Sequence, residues 1–352
     1  MVGRKNLIFL GDGILRLTKL ACVVLATLVL FASACSKNET PEEPDKKPVK
    51  EETPVKATAP LTGVETKIAP PERAVAVTIN NHPDARPQSG LSQADVVYEV
   101  LAEGKVTRFL AIFQSEKPES IGPVRSARQY FIDLSQGYDA LFIAHGYSPE
   151  AKQALKSGAI DNINGIQHDG TLFKRVDFRQ APHNSYITFK NIEKGAEDAG
   201  YEMDEAPKPL SFLTDEEAGN LSGDAAANVK VAYSQDATFI AEYHYDAEDE
   251  KYTRSSGGAE TVEYDNDKPV LLDNIIVIEA AHTTKDSEGR LGINLDSGGK
   301  AYVFQKGIAQ EAEWKNEDGR IFPYINGEPI KLVPGKTWIN IVPELTMVSF
   351  GE

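Results

Sequence analysis

The residues with the clearest chemical potential form the run Gly-Pro-Val-Arg-Ser-Ala-Arg at 122–128. The pattern predicts that Ser126 caps a helix over 126–136, with Arg125 and Arg128 beside its first turn. A helix N-terminus already carries about half a positive charge, and its free backbone N–H groups bind anions. Two guanidinium groups at this end predict an anion-binding site. The alternative is that both arginines pair with nearby carboxylates, namely Glu99, Glu103 or Asp133.

Three histidines are predicted to lie in loops of the same region. His82 follows a strand predicted at 75–79, His145 follows a strand predicted at 140–144, and His183 belongs to a further polar loop. Loops at the carboxyl ends of strands are where α/β proteins place binding sites. We therefore consider all three as candidate catalytic acids or bases, or as metal ligands. A structural hydrogen-bonding role is the alternative for each.

Further polar residues of these loops and strands could bind a ligand. Asn80 and Arg86 come from the loop of His82, Arg179 from the loop of His183, and Arg108 from a predicted strand at 106–114. Guanidinium and amide groups donate hydrogen bonds to phosphate and carboxylate oxygens. These four residues therefore join Arg125 and Arg128 as candidate ligand-binding residues, with turn formation as the alternative for the loop positions.

Glu99 interrupts an otherwise apolar strand predicted at 94–102, so a reason for its burial is required. Arg108 lies on the neighbouring strand across a predicted hairpin, and a buried Glu99–Arg108 pair is one interpretation. The other is that Glu99 is a general base or a metal ligand.

Several chemistries find no support in the sequence. It has no Gly-x-Ser-x-Gly, no phosphate-binding P-loop, no His-Glu-x-x-His and no EF-hand pattern, so no cofactor and no metal site are assigned. The formal net charge of −16 argues against binding to nucleic acid. Aromatic residues of the second half could stack on sugars, although aromatic side chains are also common strand formers; they are Tyr233, Tyr243, Tyr245, Tyr252, Tyr302, Trp314 and Trp338.

Residues 1–34 have the pattern of a lipoprotein signal peptide. Basic residues precede an apolar run at 20–31, which is short for a membrane span, and the small residues 32–34 lead to Cys35. A usual lipobox has Leu where this chain has Ala32. Only two cysteines occur, and the other lies inside the signal. We therefore expect Cys35 to carry lipid, such as palmitate, and to anchor the protein at the extracytoplasmic face of the cell membrane; a single transmembrane anchor is the alternative.

Composition divides the rest of the chain into four segments. Residues 35–73 are rich in Lys, Glu and Pro, which predicts a disordered tether. Strand and helix patterns alternate over 74–221 and predict an α/β domain with a mixed sheet. Small residues at 222–228 indicate a linker. Strand and turn patterns over 229–352 predict a β-rich domain, either a barrel or a sandwich.

Four long runs, at 79–91, 94–99, 121–128 and 181–184, resemble the YerB-type family of Gram-positive bacterial lipoproteins. The segment 338–343 resembles the family's C-terminal part. The resemblance implies a lipoprotein built from the N-terminal and C-terminal parts of a domain of unknown function. It supplies no catalytic residues, so a function has to be inferred from the side chains.

Together these patterns favour an envelope lipoprotein whose α/β domain binds an anionic ligand, such as a peptidoglycan stem carboxylate or a teichoic-acid phosphate. The partners expected are the cytoplasmic membrane, through the lipid anchor, and a cell-wall polymer or envelope protein. One alternative is an envelope hydrolase that acts on a cell-wall glycan or phosphodiester through His82, Glu99, His145 or His183. Another is a structural partner in an envelope protein complex.

The anchoring expectation can be tested at one residue. Because Cys35 is the only thiol after the signal, Cys35→Ala should abolish metabolic labelling with a fatty acid. The protein should then be released from membranes or remain unprocessed, whereas Cys22→Ala should be labelled normally. Labelled protein in the Cys35→Ala variant would contradict the expectation.

Overall fold

A computed structural model describes residues 57–352, and residues 1–56, including the predicted signal and Cys35, lie outside the described part. Folded structure begins well before position 73, where the sequence pattern ends the tether. Leu61 is fully buried, and the backbone of Thr62 accepts a hydrogen bond from the Gly335 N–H at 2.7 Å. One buried leucine and a few backbone hydrogen bonds thus fix a segment whose composition indicated disorder.

Strands dominate the described residues. In the first half they are β1 Ala57–Thr58, β2 Glu65–Thr66, β3 Val75–Asn80, β4 Val96–Glu103, β5 Val106–Phe113, β6 Leu141–Ala144, β7 Asn162–Asn164, β8 Phe173–Arg175 and β9 Ser185–Ile187. In the second half they are β10 Asp224–Ala225, β11 Asn228–Ala232, β12 Ile240–Asp246, β13 Lys251–Ser256, β14 Ala259–Glu260, β15 Leu271–Leu272, β16 Asn274–Glu279, β17 His282–Thr284, β18 Leu291–Ile293, β19 Gly299–Gln305, β20 Ile308–Glu317, β21 Arg320–Ile325, β22 Glu328–Pro329, β23 Thr337–Val342 and β24 Val348–Gly351.

The helices are short. They are α1 Gln129–Gln136, α2 Pro149–Lys156, α3 Gly165–His168, α4 Phe189–Ala199 and α5 Asp215–Gly219, with 3-10 turns at Pro83–Ala85, Leu91–Gln93, Ala237–Phe239 and Leu345–Met347. Local signals explain two of them. Ser148 caps α2, and its side chain accepts a hydrogen bond from the Ala151 N–H. Gly200, with a φ of 74°, ends α4 in the left-handed conformation that glycine tolerates.

Both halves of the chain contribute to one large sheet. Its strand order is β22-β21-β20-β19-β16-β23-β4-β5-β3-β6-β7, with β10 paired to β20. Strand β23 lies between β16 and β4 and runs parallel to both, so a strand of the second half pairs directly with a strand of the first. A second sheet has the order β14-β13-β12-β11-β24, with β15 beside β13.

The large sheet is covered on both faces. Along its central strands alternate residues face opposite ways: Val97 and Trp338 belong to the core on the side of the second sheet. Tyr98 and Ile339 belong to the core on the side of α1, which contributes Phe131. All six residues of β23 are buried, including the polar Thr337 and Asn340, so its sequence does not alternate between apolar and polar side chains.

These observations correct the expected fold class. The described residues are β-rich with few helices and several sheets, and they do not clearly show a separate α/β domain. The part that most resembles an α/β arrangement is the parallel set β3, β6 and β7, with α2 between β6 and β7 in the sequence. The second half forms no closed barrel among residues 57–352: some of its strands, such as β16 and β23, extend the sheet of the first half, and others form the separate second sheet. The domain boundary at 222–228 stays a prediction, although β10 within it is paired.

The predicted helix start at Ser126 is wrong. Helix α1 begins at Gln129, and the residue at its N-cap position is Arg128, whose side chain makes no capping bond. Residues 124–127 are extended instead, because their backbone pairs with neighbouring segments: Arg125 N–H donates to Thr78 O and Ala127 N–H donates to Gly146 O. Backbone pairing with β3 has thus outweighed the local capping signal.

A buried ion pair connects the two sheets. Glu99 of β4 lies 2.7 Å from the guanidinium of Arg254 in β13, and both residues are 1% exposed. The same carboxylate oxygen accepts a hydrogen bond from Trp338 Nε1 at 3.1 Å. Its other oxygen accepts from Asn81 Nδ2 and from Thr107 Oγ1, at 3.2 and 2.9 Å. Glu99 is therefore a fully engaged structural residue.

The partner of Glu99 is not Arg108, which was one interpretation of the sequence. Glu99 is directly opposite Phe109 in the β4–β5 register, whereas Arg108 is opposite Val100. Successive side chains of a strand point to opposite faces of the sheet, so Arg108 extends away from Glu99. Its guanidinium instead contacts Glu103 and the carbonyl of Ser126.

We expect this pair to be sensitive to the loss of either partner. Arg254→Ala leaves a buried carboxylate without its cation, which should lower the free energy of unfolding by about 3–5 kcal/mol. Replacing both partners, as in Glu99→Leu with Arg254→Met, should recover a large part of that loss. Thermal and urea unfolding measure both effects.

The matched control is Lys194→Ala, which removes an exposed pair with Asp198 and should change stability by about 0–1 kcal/mol. An Arg254→Ala variant as stable as the Lys194→Ala variant would contradict the prediction.

Candidate anion-binding site

The polar loops named from the sequence meet at one edge of the large sheet. Strands β3 and β6 are parallel neighbours, so the residues that follow them leave the sheet at the same edge. Asn80 ends β3, and its Nδ2 lies 2.7 Å from Nδ1 of His183. The rings of His82 and His183 stack with centroids 4.7 Å apart. We call His82, Arg125, His145, Arg175 and His183 the His–Arg cluster.

Hydrogen bonds fix which nitrogen of the two stacked rings carries the proton. Asn80 Oδ1 accepts from the His82 N–H at 3.0 Å, which turns the NH₂ of that amide toward His183 Nδ1. Nδ1 of His82 accepts from the Asp84 N–H at 3.2 Å. Both Nδ1 atoms are therefore acceptors, and each neutral ring has its proton on Nε2. The two rings thus offer N–H donors.

His183 is held in the neutral form at neutral pH. Burial lowers its pKa below the ordinary value, and the nearby His82 and Arg125 lower it further. Asp84 acts in the opposite direction. A neutral ring with Nε2–H can donate to an anion without itself carrying charge.

His82, Asp84 and His183 also have ligand atoms within 4.8 Å of one another, close enough for a single metal ion. The sequence assigned no metal site here. Two features oppose a metal site. The Nδ1 lone pairs of both histidines already accept hydrogen bonds, and each Nε2 carries a proton that it would have to lose before binding a metal ion. The charge of Arg125 nearby is also repulsive to a cation. The arrangement therefore suits an anion better than a metal ion.

Arg125 is the arginine of this edge with the fewest protein partners in the described residues. Within residues 57–352 it forms no ion pair, and its guanidinium makes one long hydrogen bond, 3.4 Å, to the carbonyl of Pro182. Its Nε is buried without a hydrogen-bond partner. Burial lowers the pKa of Arg125 to about 10, and the charges of Arg108 and Arg175 contribute to the shift. A partly buried, unpaired arginine is a costly arrangement that an anion would relieve.

The other candidate arginines are engaged by the protein itself. Arg108 and Arg128 both contact the carboxylate of Glu103. Each therefore pairs with a carboxylate, which was the alternative to binding a ligand. Arg86 donates to both oxygens of Asn81, each at 3.0 Å, and to a carbonyl of the second half. Arg179 donates to the carbonyl oxygens of Asp84, Arg86 and Pro87. Among the named arginines only Arg125 is left for a ligand.

His145 contacts Ser185, yet the pair is arranged the wrong way for nucleophilic catalysis. Its Nδ1 lies 2.6 Å from Ser185 Oγ, and its Nε2 lies 3.0 Å from a nitrogen of Arg175. A guanidinium can only donate, so Nε2 accepts and the Nδ1–H donates to Ser185. A base that activates serine has to accept that proton instead. Burial and the charge of Arg175 lower the pKa of His145, which keeps the ring neutral.

Sequence reasoning missed three features of this region. Arg254, the partner of Glu99, and Arg175, the partner of His145, are distant in sequence from the residues they contact. Phe178 and Tyr264 form an exposed aromatic pair that no periodicity signals. Conversely, the aromatic residues proposed to stack on sugars are largely core: Tyr243, Tyr252, Trp314 and Trp338 are at most 1% exposed.

Comparison with known proteins identifies the class of this chain. Residues 61–202 match the N-terminal domain of a protein of unknown function, DUF3048, and residues 229–339 match its C-terminal domain. The chain therefore belongs to this two-part family, in agreement with the resemblance in its sequence.

A particular relative extends the match along nearly the whole chain. The chain is 48% identical over 334 residues to YerB of Bacillus subtilis (strain 168), which its name describes as a lipoprotein; the alignment covers 94% of this chain and 97% of the relative. The crystal structure of YerB protein from Bacillus subtilis is 50% identical, with a TM-score of 0.80 over 84% of this chain and 100% of that chain. In the described residues, no helix is long and apolar enough to cross a membrane.

The contrast between Arg125 and Arg128 gives a stability prediction. Arg128→Ala removes a partner of Glu103 and should lower the free energy of unfolding by about 1–2 kcal/mol. Arg125→Ala removes an unpaired, partly buried charge and should leave stability unchanged or raise it. Glu103→Gln serves as the control, since it should resemble Arg128→Ala in thermal unfolding. Equal losses for Arg125→Ala and Arg128→Ala would contradict this assignment.

Proposed function

We propose that the protein is a lipid-anchored, extracytoplasmic lipoprotein whose His–Arg cluster binds an anionic ligand of the cell envelope. The family and the named relative support the lipoprotein part. The anchor would be the predicted Cys35, which lies outside the described residues. The ligand would be a phosphate or carboxylate group of a cell-wall polymer. The predicted tether would let the folded part of the chain reach it.

The observation that carries the proposal is Arg125. Its guanidinium is partly buried and has no carboxylate partner within residues 57–352, although the chain as a whole has an excess of acidic residues. Acidic side chains are abundant enough that an arginine needing one could pair, as Arg108, Arg128 and Arg254 do. An arginine kept free beside two histidines is suited to bind an anion from solution.

The neighbouring groups add donors of the right type. Each of His82 and His183 has an N–H at Nε2, because its Nδ1 accepts a hydrogen bond. Arg175 lies close enough to Arg125 to lower its pKa, but its charge is already paired with the carboxylate of Asp169 at 3.0 Å, so Arg125 is the main cation available to an anion. Charge-assisted hydrogen bonds from such groups are about twice as strong as neutral ones.

A hydrolase is the second candidate, supported by the closeness of His82, Asp84 and His183. It requires a metal ion or a base, and the tautomers of the two histidines oppose both roles. Glu99 and His145 of the original catalytic set are engaged by Arg254 and Arg175. Metal analysis of the purified protein separates this candidate from the first, since a stoichiometric metal would favour the hydrolase.

Anion binding can be measured directly with the full chain in detergent. We expect inorganic phosphate and sulfate to bind in a buffer with chelator, as followed by calorimetry and by thermal stabilisation. Arg125→Ala should weaken phosphate binding by about 1.5–3 kcal/mol, the usual contribution of a hydrogen bond to a charged group.

The control is Arg290→Ala, because Arg290 already pairs with Asp286 and Glu288. Its removal should leave phosphate affinity unchanged. Phosphate binding that is equally strong in the Arg125→Ala variant, or absent from the wild-type protein, would refute the anion site.

A further inference from the structure

An exposed pair of aromatic rings lies beside the His–Arg cluster. Phe178 and Tyr264 stack with ring centroids 4.4 Å apart and an interplanar angle of 7°. Phe178 is 48% exposed and Tyr264 is 39% exposed, unlike most of the large aromatic residues of this protein. The stack uses one face of each ring, and the exposed fractions show that much of both rings still reaches solvent.

Hydrogen bonds between the two halves of the chain hold the segment that carries Tyr264. Tyr264 N–H donates to the carbonyl of Gln88 at 2.8 Å. The adjacent Glu263 is buried, and its carboxylate accepts from the Gly90 N–H at 2.6 Å and from Ser92 N–H. These bonds hold the backbone that carries Tyr264, which lowers the free-energy cost of ordering this segment around a ligand.

Arg179 links the aromatic pair to the cluster. Its guanidinium carbon lies 5.3 Å from the ring centroid of Tyr264 and 5.8 Å from that of Phe178, within the range of cation–π attraction. The same guanidinium donates to the carbonyl of Asp84 at 2.8 Å, and its charge contributes to the pKa shift of His183. Arg179 therefore contacts both the aromatic pair and the loop that carries His82.

A second connection runs through Gln88. Its Nε2 donates to the carbonyl of Asn80 at 3.0 Å, and its own carbonyl accepts from Tyr264. Asn80 in turn contacts His183. The buried Gln88 thus joins the backbone of Tyr264 to the strand end that carries Asn80.

The combination defines a class of ligand. Flat aromatic rings that are partly exposed offer an apolar surface on which the C–H groups of a sugar ring can pack, whereas arginine and imidazole N–H groups bind oxyanions. We propose that Phe178 and Tyr264 form a sugar subsite, so that the surface recognises a carbohydrate carrying an anionic group, with phosphate as the group that Arg125 contacts. This inference rests on the proposed anion-binding function and names its ligand class.

Saturation-transfer NMR and competition titrations on the full chain can test the subsite with defined probes. Glucose 1-phosphate should bind at least about fivefold more tightly than inorganic phosphate, which corresponds to an aromatic contact of about 1 kcal/mol. Saturation should pass to the sugar C–H protons. Methyl glucoside, which lacks the anion, should bind much more weakly than glucose 1-phosphate.

Variants separate the sugar subsite from the anion site. Phe178→Ala and Tyr264→Ala should remove the advantage of glucose 1-phosphate while leaving inorganic phosphate affinity unchanged. Ile68→Ala, which removes an apolar residue that is 82% exposed, is the control and should change neither affinity. Glucuronic acid distinguishes the source of charge: binding as tight as that of glucose 1-phosphate would overturn the assignment of phosphate.

The failures of the two proposals are distinguishable. Glucose 1-phosphate that binds no tighter than phosphate, in a protein that does bind phosphate through Arg125, would overturn the sugar subsite and leave the anion site in place. Absence of phosphate binding would overturn both the anion-site proposal and the sugar-subsite proposal. An advantage of glucose 1-phosphate that survives in both aromatic variants would show that the sugar contacts lie elsewhere, and would also overturn the inference.

Discussion

The buried pair of Glu99 and Arg254 is the interaction on which the arrangement of the two sheets depends. Removing two charges from water is costly, and their attraction compensates only where the remaining hydrogen-bonding groups are satisfied. Here the carboxylate has four donors, and the guanidinium lies 4.7 Å from the ring centroid of Trp338 and 5.3 Å from that of Phe109. Because the pair and these partners come from four strands (β4, β5, β13 and β23) and a loop, the contacts form only when both halves of the chain are in place.

The same pair also positions the candidate site. Asn81 donates to Glu99, and its side-chain oxygen accepts from Arg86 Nε and from Gln88 Nε2. Arg86 reaches the carbonyl of Thr238 in the second half, and Gln88 holds Tyr264. A chain of hydrogen bonds therefore runs from the ion pair to the loop that carries the stacked histidines. The buried side chains Asn81 and Gln88 hold this loop through their hydrogen bonds, while His82 on the same loop keeps an N–H donor for solvent or a ligand.

Local sequence signals predicted local structure well. The Ser148-Pro149 start of α2, the end of α4 at Gly200 and the strands around Glu99 follow from capping, glycine and alternation rules. What could not be predicted were pairings between distant segments. Nothing near Arg254 indicates that its partner is Glu99, and nothing in residues 337–342 indicates that they insert beside β4. The helix start at Ser126 failed for the same reason, since pairing with β3 is a contact from 47 residues away.

The sequence indicated Arg125 because a helix was expected to begin at Ser126. The helix begins at Gln129 instead, so Arg125 is not at its N-terminus. Arg125 differs from the other arginines around it because those are already engaged by partners within the protein. Arg108, Arg128 and Arg254 each have a carboxylate, and Arg86 and Arg179 each have several carbonyl groups. The chain has 53 acidic residues against 37 basic ones, so long-range attraction to an anion is weak and any binding must arise within contact distance. A local group of donors on a negatively charged protein favours ligands that also offer a surface to pack, because charge alone would not retain them.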